Sequence, residues 1–406
     1  MTLIECYTDS HIDNIAACLR LKPENVVFIG DPEEMEQPLD RYRRLLQQRQ
    51  IPTLVTALDI RGMDFADICH LLRDQIREEE ECVIDLTGGD EAVIMAVGAL
   101  LVGLEPQQRR NIRVEKYDPR SDAIYDCIHD NRKVCDNNVT LTVEEIIALH
   151  GGGIHPNSYQ PPENCSRTDL QPLWDIVSDD PWTWNQSISA LNEFEGYADS
   201  REQVFLLPYH LGGIKNFTQK EDLVRTLLEK LLQRGIIDGR ISARALEYSF
   251  ASPLLRFCTL KAGNVLEVKT LLEGRDLRKD GSSFFQDCRM GVSIDWDGVP
   301  HQPEDQISDT RNEIDVILVH GTTPLFISCK NGNINEEELY KLHTVATRFG
   351  GPYAKKMLIA TELNRKSPAG SRSFIQRAID MNICLVTDAA QLDRDGWQQA
   401  LMNALQ

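Results

Sequence analysis

The chain has 406 residues, 42% of them hydrophobic, and its 43 Lys and Arg against 63 Asp and Glu leave a formal charge of −20. That length predicts roughly two or three domains. The charge argues against tight, indiscriminate nucleic-acid binding by the whole surface, while permitting a locally basic cleft. No apolar run reaches the ~18–20 residues needed to span a bilayer, and the opening Met-Thr-Leu-Ile-Glu-Cys lacks the basic flank of a signal peptide. Eleven scattered cysteines without a C-x-x-C pair fit reduced thiols, so a cytoplasmic protein is expected.

Residues 1–117 alternate between short apolar runs and amphipathic segments. Strands are predicted at Leu3–Tyr7, Asn25–Ile29, Thr53–Thr56, Cys82–Leu86 and Asn111–Tyr117, and helices at His11–Leu21, Glu34–Gln48, Asp64–Arg77 and Glu91–Leu101. Such alternation implies an α/β fold, a Rossmann-like parallel sheet wrapped by helices on both faces, with ligands beyond the carboxyl ends of its strands. Two of those ends stand out. Tyr7-Thr8-Asp9-Ser10-His11-Ile12-Asp13-Asn14 carries hydroxyls and no glycine, so the G-x-G-x-x-G fingerprint of nicotinamide and flavin sites is absent. In Asp85-Leu86-Thr87-Gly88-Gly89-Asp90-Glu91 a strand runs into two glycines at a helix start, where backbone N–H groups can approach a phosphate or ribose. Asp90 and Glu91 oppose an anion and are assigned to capping or sugar contacts. A plain strand-to-helix turn would use the same residues.

Together these two ends resemble the CRISPR-associated Rossmann fold (CARF), the sensor domain of type III CRISPR accessory proteins. That fold has a hydroxyl-bearing loop after its first strand and a strand ending in (D/N)-L-T-G-G, matched here by Asp85–Gly89. The resemblance spans about the first 120 residues and sets a sensor domain at 1–140. It implies a homodimer that binds a cyclic oligoadenylate across its axis. Carried onto this sequence, Thr8, Ser10, Asn14, Thr87, Gly88 and Gly89 would line the ligand, with Lys116 a looser candidate for a phosphate.

From Asp118 the pattern changes, and residues 141–260 read as a helical connector. Helices are predicted at Leu141–His150 and Gln219–Arg234, around a stretch Gly151–Ser187 rich in Pro, Asn, Ser and Trp with little period. The second helix and the Gly-Ile-Ile-Asp-Gly-Arg-Ile-Ser after it suggest a winged-helix-like piece, though without a concentrated basic recognition helix. His150-Gly-Gly-Gly153 has the look of an esterase oxyanion loop, but G-x-S-x-G is missing, so that chemistry is set aside. Cys127, His129, Cys135, His150 and His155 fit no paired zinc spacing.

The third region, 261–406, opens with a helix at Asn264–Leu272, then a strand at Asp287–Trp296 and an acidic loop from Asp297 to Asp309. Two apolar, β-branched runs, Ile314–Val319 and Leu325–Cys329, flank Gly-Thr-Thr-Pro and read as a hairpin. Folded symmetrically about Thr322–Thr323, the hairpin would set Asp315 opposite Lys330. A helix at Glu336–Phe349, a strand at Lys356–Thr361, a helix at Ser371–Met381 and a strand at Ile383–Thr387 follow. A carboxylate beside a lysine suits a hard cation and a phosphodiester under attack. An ordinary surface ion pair is the bland alternative.

Here the sequence resembles the PD-(D/E)xK nuclease superfamily, whose restriction-endonuclease-like α/β core places an Asp at a hairpin and acidic-x-Lys on the next strand. Asp315 and Lys330 match, while Ser328 stands where the second acid belongs. Glu267 on the leading helix fills the gap, with Glu313 a nearby alternative. The resemblance implies Mg²⁺ or Mn²⁺ held by Glu267, Asp315 and the Cys329 carbonyl, with Lys330 orienting the attacking water. The order sensor, connector, nuclease resembles CARF proteins fused to such a nuclease. It implies activation by a cyclic oligoadenylate, cyclic tetra-adenylate above others, and cleavage of single-stranded DNA or RNA or nicking of duplex. The alternative kept open by Ser328 is a nucleotide-sensing transcriptional regulator with an inactive nuclease-like domain.

Overall fold

The computed structural model describes residues 1–76, 81–119, 121–155, 160–162, 164–201, 204–208, 213–242, 245–299, 311–332, 334–362 and 368–406. Strands β1 (Thr2–Cys6), β2 (Asn25–Gly30) and β4 (Cys82–Asp85) bury nearly every side chain, as strands covered on both faces must. With β3 (Leu54–Asp59) and β5 (Ile112–Asp118) they form a parallel sheet in the order β3-β2-β1-β4-β5. The connections are α1 (His11–Leu21), α2 (Pro32–Gln48), α3 (Phe65–Gln75), α4 (Glu91–Gly103) and the short α5 (Pro106–Arg109). Asp31, Asp64 and Asp90 cap α2, α3 and α4 by accepting first-turn backbone N–H groups. Pro32 at the first helical position starts α2 two residues before the expected Glu34.

The sheet does not end at β5. Strands β6 (Ala123–Asp126) and β7 (Arg132–Asp136) extend it antiparallel. An irregular register between Ile124 and Tyr125 and an almost wholly exposed β7 leave no apolar alternation there.

Next come α6 (Val143–Leu149), started by a Thr142/Glu145 capping box, and β8 (Gly153–Ile154). The Gly151–Ser187 stretch, expected to be irregular, holds α7 (Arg167–Asp179) and the start of α8 (Pro181–Glu195). Buried Leu170, Leu173, Trp174 and Val177 do follow helical spacing. Pro172 and Pro181 mask that spacing; Pro181 stands at a helix start, where its missing N–H costs nothing. Strands β9 (Asp199–Arg201) and β10 (Val204–Pro208), helix α9 (Phe217–Gln233), and strands β11 (Ile237–Ile241) and β12 (Ala245–Phe250) follow, the strands forming an antiparallel sheet β11-β12-β10-β9. Helix α9 runs directly into the β11–β12 hairpin, and its Lys220, Arg225 and Lys230 are balanced by Glu221, Asp222 and Glu229.

The last part begins with α10 (Pro253–Leu260), α11 (Asn264–Arg275) and a small ribbon of β13 (Arg278–Lys279) and β14 (Ser282–Ser283). It continues through β15 (Asp287–Asp295), β16 (Arg311–His320), β17 (Thr323–Lys330), α12 (Glu336–Gly350), β18 (Lys355–Ala360), α13 (Pro368–Asp380), β19 (Ile383–Val386) and α14 (Arg394–Asn403). The sheet order is β19-β18-β17-β16-β15-β8, with β17, β18 and β19 parallel. The expected acidic loop lies outside the described residues from 300 to 310.

The β16–β17 register differs from the symmetric one. Pairing runs from His320–Thr323 to Val316–Ile327, so Gly321-Thr322 makes a two-residue turn. Gly321 supplies the positive φ (+59°) that such a turn takes at its first central position. The two-residue slip keeps every side chain on its face, so Asp315 and Lys330 become diagonal neighbours rather than an opposed pair. One apolar core runs unbroken from Leu3, Phe28 and Tyr42 through Ile146 and Leu149 of α6 to Phe326, Phe349 and Leu358. The other sheet face packs on α7, α8 and α11 through Leu173, Trp184, Leu271, Leu325 and Ile327.

Candidate functional site

At the end of the hairpin the strands stop pairing before β17 stops. The ladder closes at Val316–Ile327, whereas β17 stays paired to β18 as far as Lys330–Ala360. The freed Cys329 N–H donates to Asp315 Oδ2 at 2.6 Å, so a carboxylate replaces a strand acceptor. Ser328 Oγ donates to the same oxygen at 3.3 Å, and Lys330 Nζ lies 3.6 Å from it. Lys330 also reaches Glu338 Oε2, at 3.1 Å, in the first turn of α12. Burial works against the Lys330 charge, but Asp315 and Glu338 outweigh it and hold the pKa above the ordinary lysine value.

Glu267, in the first turn of α11, completes the group. Its pKa is pushed up to about 8, mainly by burial and then by Asp315 and Glu313, with Lys261 and Lys330 pulling back. The carboxylates of Glu267 and Asp315 therefore feel each other, and burial favours the protonated form of Glu267. The buried Cys329 thiol contacts Thr270 Oγ1 at 3.5 Å, and burial, Asp315 and Glu267 push its pKa well up. Burial therefore favours the neutral thiol, and the backbone carbonyl is that residue's candidate donor. Among the described residues no three His, Cys, Asp or Glu side chains cluster as a metal cage, the zinc candidates included. Glu338 was not anticipated from the sequence. Its signal was the run Glu336-Glu337-Glu338 opening the first helix after Lys330.

In the N-terminal sheet the loops after β1 and β4 touch. A Cβ on Gly88 would fall 2.5 Å from Thr8 Cγ2. Gly89, at φ +115°, has no room either, since its Cβ would lie 2.4 Å from that of Cys6. Thr8, Thr87, Gly88 and Gly89 are therefore brought to one place. Asn14 lies beneath them, buried, with its amide accepting from Thr8 N at 3.0 Å and donating to Thr8 O at 2.6 Å and Tyr42 Oη at 3.0 Å. It fixes the loop's shape. Ser10 is the buried residue preceding α1.

Thr87 is held from both sides: its hydroxyl donates to Asp85 and accepts from Tyr117 N at 2.8 Å. Its backbone N–H also donates to Asp85, at 2.6 Å. Burial pushes the Asp85 pKa up to about 6 despite the Thr87 hydrogen bonds and Arg20. Lys116 lies within β5, paired with Tyr125.

No family model and no curated protein matches the sequence. Solved structures do. The chain is similar to protein VC1899 from Vibrio cholerae, with a TM-score of 0.74 and 17% identity over 100% of this chain and 97% of that one. It is similar to Can2 from Sulfobacillus thermosulfidooxidans in complex with cyclic tetra-adenylate, with a TM-score of 0.66 and 17% identity over 100% and 97%. It is also similar to a type III CRISPR defence DNA nuclease activated by cyclic oligoadenylate, with a TM-score of 0.50 and 16% identity over 91% of this chain and 46% of that one. At these identities the likeness shows a shared α/β fold across the whole chain.

Proposed function

We propose that the chain is a metal-dependent nuclease gated by a cyclic oligoadenylate, cyclic tetra-adenylate above others, in type III CRISPR defence. The observation that carries this reading is the convergence of Glu267, Asp315 and Lys330 where β16 and β17 part. The fold shared with Can2, solved with cyclic tetra-adenylate, supports the activator.

The donor set fits a hard divalent cation. Two carboxylates whose mutual repulsion raises a pKa are relieved by a dication. Mg²⁺ and Mn²⁺ sites commonly take one or two protein carboxylates and complete their shell with water and substrate phosphate, so the missing acid at Ser328 does not disqualify the site. Glu267, Asp315 and the Cys329 carbonyl would hold the ion. Bound there, it would stabilise the negative charge that develops on the scissile phosphate. Lys330, kept protonated by its two carboxylate neighbours, acts as a fixed charge and donor. It orients the attacking water and offsets charge on the phosphate. The Cys329 N–H and Ser328 hydroxyl hold Asp315 in place.

In the sensor, Thr8 and the Thr87–Gly89 turn supply hydroxyl and backbone groups to the ring. Pairing of two copies is supported by α4, which leaves Gly88-Gly89-Asp90 and exposes Ile94, Met95 and Val102 on its outer face. The test separates the two ends. Asp315→Ala and Lys330→Ala should abolish cleavage in Mn²⁺ while leaving cyclic tetra-adenylate binding unchanged. Full cleavage by both variants would refute the site.

A further inference from the structure

A cavity of about 510 Å³ opens beside the catalytic end, between α8, the start of α9 and the turn that follows Lys330. That volume lies within the usual range of ligand clefts. Asn331 and Gly332 form one wall, and two residues span at most ~7 Å of chain, so an occupant sits next to Lys330. The adjoining wall is one face of α8, where Trp182, Asn185, Gln186 and Ser189 recur at helical spacing.

The chemistry of this lining is unusual for the chain. The sequence carries 63 acidic residues, yet none lines the cavity among the described residues. Amides dominate instead, and Trp182 is 50% exposed beside them. The wall is also rigid. Asn331 donates from Nδ2 to Ala262 O at 3.1 Å and accepts at Oδ1 from Thr361 Oγ1 at 2.7 Å. Asn185 Nδ2 donates to Asn331 O at 2.9 Å, while its buried Oδ1 has no donor among the described residues. Gly332, at φ +122°, lets the backbone pass where a Cβ would come 2.9 Å from Asn185 Nδ2.

We propose that this cavity is a nucleobase subsite and that the substrate reaching Lys330 is single-stranded. The proposal rests on the nuclease reading above and names its substrate class. An aromatic face and amide donors and acceptors suit an unstacked base, which offers a π-face for stacking and N–H groups at its edge. Bases paired and stacked in a duplex present neither to such a cavity. The lining itself, among the described residues, adds no acid to those around Lys330.

The test uses the full chain with cyclic tetra-adenylate. Metal-free binding of labelled single-stranded DNA, single-stranded RNA and duplex of one sequence is read by fluorescence anisotropy for the wild type, Trp182→Ala and Trp182→Phe. Cleavage in Mn²⁺ is run in parallel. Single strands are expected to bind more tightly than duplex. Trp182→Ala should weaken that binding on the order of tenfold and raise KM with kcat little changed, and Trp182→Phe should recover most of the loss. Wild-type affinity in Trp182→Ala, or duplex bound as tightly as single strands, would overturn the subsite. Absence of cleavage by the wild type with Trp182-dependent single-strand binding retained would refute the nuclease reading and uphold the subsite.

Discussion

Glu338 of α12 clasps Lys330 at the end of β17, carboxylate oxygen to ammonium at 3.1 Å. The lysine is thereby stretched between two elements, since Asp315 of β16 holds it from the other side at 3.6 Å. Both partners are partly exposed, so the pair contributes less than about 1 kcal/mol to folding. Its effect on the position of Lys330 is larger. Glu338→Ala should lower kcat on the order of 10–100-fold, the range seen when a group orienting a metal-site residue is lost. The melting temperature should move little, and Glu338→Gln, which can still accept one hydrogen bond, should recover part of the rate. Steady-state kinetics beside thermal denaturation check this.

Gly89, in the turn after β4, and Gly62, in the loop between β3 and α3, both take a positive φ but differ in the room around them. Gly89→Ala adds a methyl group 2.4 Å from Cys6 Cβ at a φ of +115°. Strain and overpacking together should cost about 3 kcal/mol or more, with loss of activator binding. Gly62→Ala is the control, because its φ is also positive (+69°) but its Cβ meets nothing within 4 Å. That change should cost about 1 kcal/mol. Urea unfolding of both variants distinguishes local crowding from backbone conformation alone.

Asp85 makes stability depend on pH in a definite direction. Its folded pKa of about 6 lies above the ordinary 3.8, so the charged form is disfavoured in the folded protein. Its contribution is full below pH 3.8 and is lost as pH rises through about 6. A shift of that size corresponds to about 3 kcal/mol. Asp85→Asn keeps an acceptor for Thr87 and carries no charge. It should therefore melt several degrees above the wild type at pH 8, with the advantage shrinking toward pH 5.

Met95 is 65% and Val102 80% exposed on a helix whose buried face is already occupied. If this face joins two copies, Met95→Lys or Val102→Glu should weaken self-association on the order of tenfold or more. The response to cyclic tetra-adenylate should fall with it. Light scattering after size exclusion, followed by activator titration, measures both.

Much of the fold could be read from residue patterns. The alternation of buried strands with capped helices over residues 1–117 left little freedom. The hairpin that carries Asp315 and Lys330 followed from its two apolar runs and the Gly-Thr-Thr-Pro between them. Their register did not, because Gly321-Thr322 and Thr322-Thr323 are both plausible turn centres and the positive φ of Gly321 decides between them. Helix α7 hid behind Pro172, although Leu170, Leu173, Trp174 and Val177 carried its period. Glu338 could not be placed, since its approach to Lys330 depends on how the crossover from β17 to β18 packs α12. The burial of Asn14 against Thr8 and Tyr42 is a tertiary fact that no sequence pattern carries.

The central claim is a nuclease whose metal end is switched by its sensor end. The direct measurement incubates the purified chain with labelled single-stranded DNA, single-stranded RNA and supercoiled plasmid in Mn²⁺, with and without cyclic tetra-adenylate. The expected result is cleavage in the presence of the activator, lost in Asp315→Ala. Bound activator with every substrate left intact would contradict it, and would make Ser328 the mark of an inactive site in a nucleotide-sensing regulator.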